Sequence, residues 1–311
     1  MKKFLCMFSL LLLCAYGGRI NAQTESTSSA TITFFRTPSS LLPGKFAVAE
    51  GDTVRFARGN LQYLASQNIW RFAEHQYDMI GNAAGNTTTA LNRPTQGYWI
   101  DLFGWGTSGW NSGAAAYQPW AVSTTNTDYC PSMSPGTNWS ESASTQKCDW
   151  GVYIFSSGLD AGYCVLTADE WEYILYGRTN HANLMGMGTL YGVHGFYLLP
   201  DGWDWSKVDA EKTAASFTWT SSSNVYSKNV IRNNTEGRAL WDAMEAKGAV
   251  FLPAAGYRLG TNVTLETLYY ATSTMGSSSD YCASLEVNGS IRMCYECRRL
   301  IGRSVRLTRH L

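Results

Sequence analysis

Two alternating runs joined by Asn288-Gly289-Ser290 constrain this chain more than any other stretch. Tyr281, Ala283, Leu285 and Val287 alternate with Cys282, Ser284 and Glu286, while Ile291, Met293, Tyr295 and Cys297 alternate with Arg292, Cys294 and Glu296. A period of two marks strands covered on one face, so the segment reads as an antiparallel hairpin. A three-residue loop places the apolar members on one face and Glu286 opposite Arg292, whereas a two-residue Asn-Gly loop scrambles both faces. Unbroken alternation also turns Cys294 and Cys297 to opposite faces, about 10 Å apart and beyond disulfide reach.

Residues 1–22 carry Lys2 and Lys3, an apolar run from Phe4 to Ala15, and Ile20-Asn21-Ala22 before Gln23, the three-part plan of a secretory signal peptide. The run is too short to span a bilayer, and no later segment is comparably apolar. Leu13 before Cys14 argues against lipid attachment. A secreted, cell-surface or periplasmic protein is expected, with no membrane-spanning segment once the signal is gone. Loss of Lys2, Lys3 and Arg19 leaves 21 basic residues of the original 24 against 24 acidic, a formal charge of −3. That balance gives no basic face for nucleic acid.

Residues 23–44 read as a linker or edge segment, and 45–311 as one domain. Phe46 and Val48, then Val54 and Phe56, alternate around the turn Glu50-Gly51-Asp52, and short strands continue through Asn60 to Tyr63 and Trp70 to Phe72. Thr167 precedes Glu170 at capping-box spacing, and Trp171, Ile174 and Leu175 follow as an apolar stripe ending at Gly177. A second helix is predicted from about Thr235 to Lys247, with Leu240, Ala243 and Met244 on one face and Gly248 as its stop. Strands flank the two helices at Phe196 to Leu199 and Val250 to Leu252. Charged residues make up 15% of the chain and aromatics 14%, so its polarity comes from Ser, Thr, Asn and Gly, as in loop-rich extracellular β-containing proteins.

The string Val165-Leu166-Thr167-Ala168-Asp169-Glu170-Trp171-Glu172-Tyr173 resembles a segment of the formylglycine-generating, sulfatase-modifying-factor family. Gly302 to Leu307 is similar to the strand that closes that fold. Gly59 to Tyr63, Trp70 to Glu74, Ile100 to Gly106, Asp149-Trp150-Gly151 and Phe251 to Arg258 resemble segments of its non-catalytic Bacteroidota relatives, the Fibrobacter succinogenes major paralogous domain type. The resemblance runs over roughly residues 45–309 and implies an α+β variant of the C-type lectin-like fold. It implies short antiparallel strands, two helices and long ordered loops. The enzymes of the family bind copper through two C-terminal cysteines and oxidise a substrate cysteine. Cys294 and Cys297 lie in that region, but they are closer in sequence than the family's pair and are expected to face apart, so that chemistry is not expected here.

Six cysteines follow the signal segment: Cys130, Cys148, Cys164, Cys282, Cys294 and Cys297. Cys130 with Cys148 would staple the Ser/Thr-rich stretch 122–147, and Cys282 with Cys294 share one face of the terminal hairpin; free buried thiols are the alternative. His75, His181, His194 and His310 are scattered, so no metal site is expected. No nucleophile elbow accompanies any histidine, and Glu170 and Glu172 are not placed as a glycosidase pair. Sugar binding is the most specific functional idea, since aromatic faces stack on pyranose rings. The candidates are Trp105, Trp110, Tyr117 and Trp120 in a Gly-rich loop, with Asp201, Trp203 and Asp204, whose carboxylates could also offer calcium oxygens. The competing role for each tryptophan is core packing. The expected function is a secreted or surface-held, non-catalytic binding or structural protein recognising glycan or an extracellular protein. The alternative is a copper-dependent cysteine oxidase.

Overall fold

The computed structural model describes residues 22–27, 30–35, 41–87, 97–108, 130–131, 133–155 and 162–311. They form an α+β molecule of short, mainly antiparallel strands joined by long connections, with no helix among them long and apolar enough to cross a membrane. The expected hairpin at the start is Phe46–Ala49 against Asp52–Phe56, where Gly51 supplies the turn at φ 77°. Leu61–Leu64 and Ile69–Phe72 pair antiparallel, and the preceding segment forms two strands, Ala22–Thr27 and Ala30–Phe35, the second lying parallel to Ile69–Phe72.

Both predicted helices form. Thr167 Oγ1 accepts the Glu170 amide at 3.1 Å while Glu170 Oε2 accepts the Thr167 amide at 2.6 Å, and Ala168–Glu172 then widens into a π turn over Tyr173–Gly177. Thr235–Ala246 is capped by Asn234, which accepts the Gly237 amide at 2.9 Å, and stops at Gly248 with φ 94°. Shorter helical pieces at Ala84–Thr87, Trp150–Ile154 and Asp209–Ala214 add to this pair.

Gly302 to Leu307 is a connecting thread rather than a regular strand. It makes single bridges from Gly302 to Arg258, Arg303 to Phe103 and Ser304 to Tyr270, and its Val305 and Leu307 carbonyls accept the Leu61 and Ala57 amides. The ladder begins just beyond it: Thr308–His310 lies between Asp52–Phe56 and Tyr163–Cys164, antiparallel to both. Residues 302–310 therefore tie together segments far apart in sequence. That role requires buried backbone polar groups to find partners one at a time.

Long arginines supply many of those partners. Arg306 Nη2 donates to the Phe251 carbonyl at 2.6 Å, and Arg178 donates to the carbonyls of Ile174 and Leu199, both at 2.9 Å. A guanidinium offers several donors in a fixed fork, which suits a fold whose carbonyls lack ladder partners. Burial pulls the Arg306 cation down to about 10.

Aromatic rings fill the interior. Trp105 meets Trp139 at 4.9 Å between ring centroids, Trp139 meets Trp150 at 5.5 Å, and Phe103 bridges Trp150 to Trp70. Trp105 is 0% exposed and donates Nε1–H to the Thr272 carbonyl at 2.8 Å. Beside it, Cys130 and Cys148 form the expected disulfide, with Cα atoms 5.7 Å apart. Such a staple contributes on the order of 3 kcal/mol by restricting the unfolded chain. Gly106 sits at φ 72°, where a Cβ would lie 2.5 Å from the Cys130 Cβ, so the chain can pass the bridge at this position only as glycine.

Candidate functional site

The terminal hairpin places Glu286 opposite Arg292 as the alternation requires, and Arg292 binds Glu286 Oε1 through Nε at 3.0 Å and Nη2 at 2.8 Å. Toward the open end the register slips. Ser284 faces Cys294 but Cys282 faces Cys297, so three residues on the second strand span what two span on the first. The extra residue is a β-bulge between Cys294 and Cys297. It restarts the alternation and returns Cys297 to the face that Cys294 occupies. Both sulfurs and a Glu286 carboxylate oxygen lie within 4.8 Å of one another. The expectation that the two thiols face apart is thereby overturned, because alternation predicts facing only in a strand without insertions.

The same slip corrects the expected Cys282–Cys294 bridge. Cys282 stands across from Cys297, its thiol donates to the Cys297 carbonyl at 3.3 Å, and Cys282, Cys294 and Cys297 are all free thiols. Buried Arg303 lies against this group, bonded to Cys297 and donating to the Ile301 and Arg298 carbonyls at 2.7 and 2.8 Å. Burial pushes the Cys282 and Cys297 thiols up, while the Arg303 cation opposes that shift.

The residues singled out for ligand binding have diverse fates. Trp105 is core and presents no face to solvent, because its ring is enclosed by Trp139 and the Cys130–Cys148 bridge and its Nε1–H is taken by the Thr272 carbonyl. Trp110, Tyr117 and Trp120 lie outside the described residues. Asp201 accepts the Ala47 amide at 2.6 Å and pairs with Arg178 Nη1 at 3.2 Å, and Asp204 caps the following turn by accepting the Ser206 amide at 2.9 Å. Neither belongs to a group of metal-ligating atoms among the described residues.

Trp203 is half-buried. Its ring meets Trp205 at 5.3 Å, and Trp205 meets Trp219, also half-buried, at 5.3 Å. Phe217 backs the row from inside, Lys212 lies over the Trp205 ring at 5.5 Å, and Trp219 donates Nε1–H to the Asn183 carbonyl at 3.1 Å. Sequence reading caught Trp203 through its flanking acids but missed Trp219, which only folding brings alongside.

A second group escaped the sequence as well. Asp52, Glu170 and His310 converge from three separate segments, with ligand atoms within 4.8 Å of one another. The histidines are scattered along the chain, and no local pattern announces that His310 meets Glu170. Comparison with models of protein families, with curated proteins and with solved structures finds no match for this chain.

Proposed function

We propose that this chain is an exported binding module with a variant C-type lectin-like scaffold, related to the non-catalytic branch of the formylglycine-generating superfamily, and that it binds glycan through Trp203, Trp205 and Trp219. The observation that carries the reading is the contrast between tryptophans. Trp105, Trp139 and Trp150 are sealed inside, whereas these three are each half-buried and meet ring to ring, with planes crossing at 80° and 45°. Partly exposed indole rings suit the apolar face of a sugar, and the Lys212–Asp209 pair, 3.3 Å apart beside them, offers both a donor and an acceptor to its hydroxyls. The Cys130–Cys148 bridge agrees with an oxidising, extracytoplasmic destination. The test is binding to a panel of soluble polysaccharides, comparing wild type with Trp205→Ala/Trp219→Ala. The double variant should lose at least about tenfold in affinity, or about 1.4 kcal/mol, with unchanged circular dichroism. Because Asp201 and Asp204 already serve protein donors, binding should survive EDTA. A wild type that binds no polysaccharide, or a double variant that binds as well as wild type, overturns the reading.

A second reading rests on the bulge. Two thiols and a carboxylate held within 4.8 Å are a donor set suited to a soft cation such as Cu(I) or Zn(II), and copper held there would supply redox chemistry toward a cysteine-bearing peptide. Cys294 and Cys297 would be the ligands and Glu286 their neighbour. Competition titration of Cu(I) against a chromophoric chelator under reducing conditions decides it. Binding lost in both Cys294→Ser and Cys297→Ser supports this reading, and equal affinity in either variant removes it.

A further inference from the structure

We infer that a cleft beside the helix Thr235–Ala246 binds a free α-amino acid with a large apolar or aromatic side chain, holding its carboxylate with Arg238, its ammonium with Asp242 and its side chain against Tyr77 and Tyr191. This adds a ligand to the binding role proposed above and does not depend on it.

One wall is the tip of the hairpin formed by Met185–Leu190 and Val193–Leu198. Leu190 pairs with Val193, so Tyr191 and Gly192 alone make the turn, with φ 54° and 93°. A two-residue turn with both φ positive normally takes Asn-Gly, because a side chain as bulky as tyrosine crowds its own backbone there. Tyr191 holds this conformation and meets Tyr77 edge-on at 5.0 Å between ring centroids, while Tyr77 stacks on His75 at 5.1 Å. Residues held in strained backbone regions cluster at ligand clamps. Both tyrosines are half-buried, and neither hydroxyl has a hydrogen-bond partner among the described residues.

The helix supplies the opposite wall. Arg238, Asp242 and Glu245 follow one another at spacings of four and three along one face, while Leu240 and Met244 are buried in the core. Glu245 is already committed, since Oε1 accepts Gln76 Nε2 at 3.0 Å and Oε2 accepts Arg58 Nη2 at 3.3 Å. Arg238 turns its Nε to Asn233 Oδ1 at 2.8 Å, which leaves its terminal nitrogens to the cleft, and Asp242 has no hydrogen-bond or ion-pair partner among the described residues. One guanidinium and one carboxylate therefore remain for a ligand. The cleft between the two walls holds about 540 Å³, within the range that takes a small molecule.

Those two charges select the ligand. An anion meets Asp242 and a cation meets Arg238, each at a loss, whereas a zwitterion answers both. Side chains four apart on a helix start about 5–6 Å apart at Cβ, a gap that these two arms close on an ammonium and a carboxylate joined through one carbon. The carboxylate matches the fork of the guanidinium, and the corner made by Tyr77 and Tyr191 offers apolar ring surface to the side chain. Burial pushes the Tyr191 hydroxyl up, Asp242 adds to that shift and Arg238 opposes it, so both charges are felt across the cleft. A residue at a peptide end carries only one of the two charges, which favours the free amino acid over chain termini.

The test titrates the full chain with L-phenylalanine at millimolar concentrations, by saturation-transfer NMR and by calorimetry. L-phenylalanine should bind at least about tenfold more tightly than N-acetyl-L-phenylalanine, which lacks the ammonium, than L-phenylalaninamide, which lacks the carboxylate, and than L-alanine, which lacks the ring. Arg238→Gln should remove the advantage over the amide alone, and Asp242→Asn the advantage over the N-acetyl form alone, a split that misfolding does not produce. Tyr191→Asn suits the turn and keeps the fold, and it should weaken L-phenylalanine at least about tenfold. No binding of L-phenylalanine by wild type, a blocked derivative bound as tightly as the parent, absence of the split between the two charge variants, or Tyr191→Asn binding as well as wild type overturns the proposal.

Discussion

Two neighbourhoods in this molecule surround thiols with charge, and they do so in opposite ways. At the terminal hairpin, Cys282 and Cys297 are buried against the guanidinium of Arg303, which also holds two backbone carbonyls. At a pocket of about 420 Å³ lined by Cys164, Asp149, Glu170 and His310, the thiol borders open volume, and hydrogen bonding to Cys164, Glu170 and Asp52 holds the imidazole cationic. Burial raises the thiols in both places. The lesson is that a nearby cation does not by itself make a thiol reactive. What matters is whether the thiol is sealed from solvent or borders open volume.

The largest test removes the commitment at the hairpin. Arg303→Met keeps length and apolar volume but leaves the Ile301 and Arg298 carbonyls without those donors, so it should destabilise the chain by about 4 kcal/mol in urea unfolding. A loss below about 1 kcal/mol would mean that the guanidinium is not what organises this corner.

The pocket side makes a counterpart prediction in pH. Burial raises the Asp149 carboxyl to about 7, against the pull of hydrogen bonds from the Val165 and Gly151 amides. A carboxyl raised in the folded state binds its proton more tightly there, so its contribution to stability is full below the unfolded value near 4. It is lost as pH climbs toward 7. The loss is on the order of 4 kcal/mol at about 1.4 kcal/mol per unit. Urea midpoints at pH 4 and pH 7 should therefore show a steeper decline for wild type than for Asp149→Asn. Identical slopes would show that the carboxyl is not held protonated by its surroundings.

Alkylation separates the two neighbourhoods directly. In the folded chain iodoacetamide should modify Cys164 at least about tenfold faster than Cys297, and the difference should vanish in concentrated urea, because a sealed thiol reacts only through local opening. Equal native rates would erase the contrast.

Much of this architecture was legible in the sequence, and the failures share one cause. The capping box at Thr167, the helix at Thr235–Ala246 and the pairing of Glu286 with Arg292 are local consequences of spacing, and each appears as expected. The facing of Cys294 and Cys297 was misread because a bulge adds one residue and leaves no mark in an alternating pattern. The meeting of His310 with Asp52 and Glu170, and of Trp219 with Trp205, depends on pairing between distant strands and loops. Periodicity does not encode such pairing. Trp105 was readable as either core or binding residue, and only the packing of Trp139 and the Cys130–Cys148 bridge around it decides for core.

The smallest effect probes how the local and the distant are joined at Glu170. Its Oε2 belongs to the capping box and accepts the Thr167 amide, while its Oε1 faces His310, so one carboxylate serves both a helix start and the wall of the pocket. Burial pushes this carboxyl up, but the bonds from His310 and Thr167 outweigh it and leave it below its usual range. Thr167→Ala removes only the hydroxyl that accepts the Glu170 amide, so it should cost about 1 kcal/mol in urea unfolding, the usual worth of such a cap. The Thr167 amide remains to hold Glu170, and alkylation of Cys164 by iodoacetamide should therefore change by less than about twofold while stability falls. Thr167→Ser should recover the stability. If Thr167→Ala instead changes the alkylation rate of Cys164 by at least about tenfold, the pocket owes its geometry to the start of that helix rather than to the sheet beneath it.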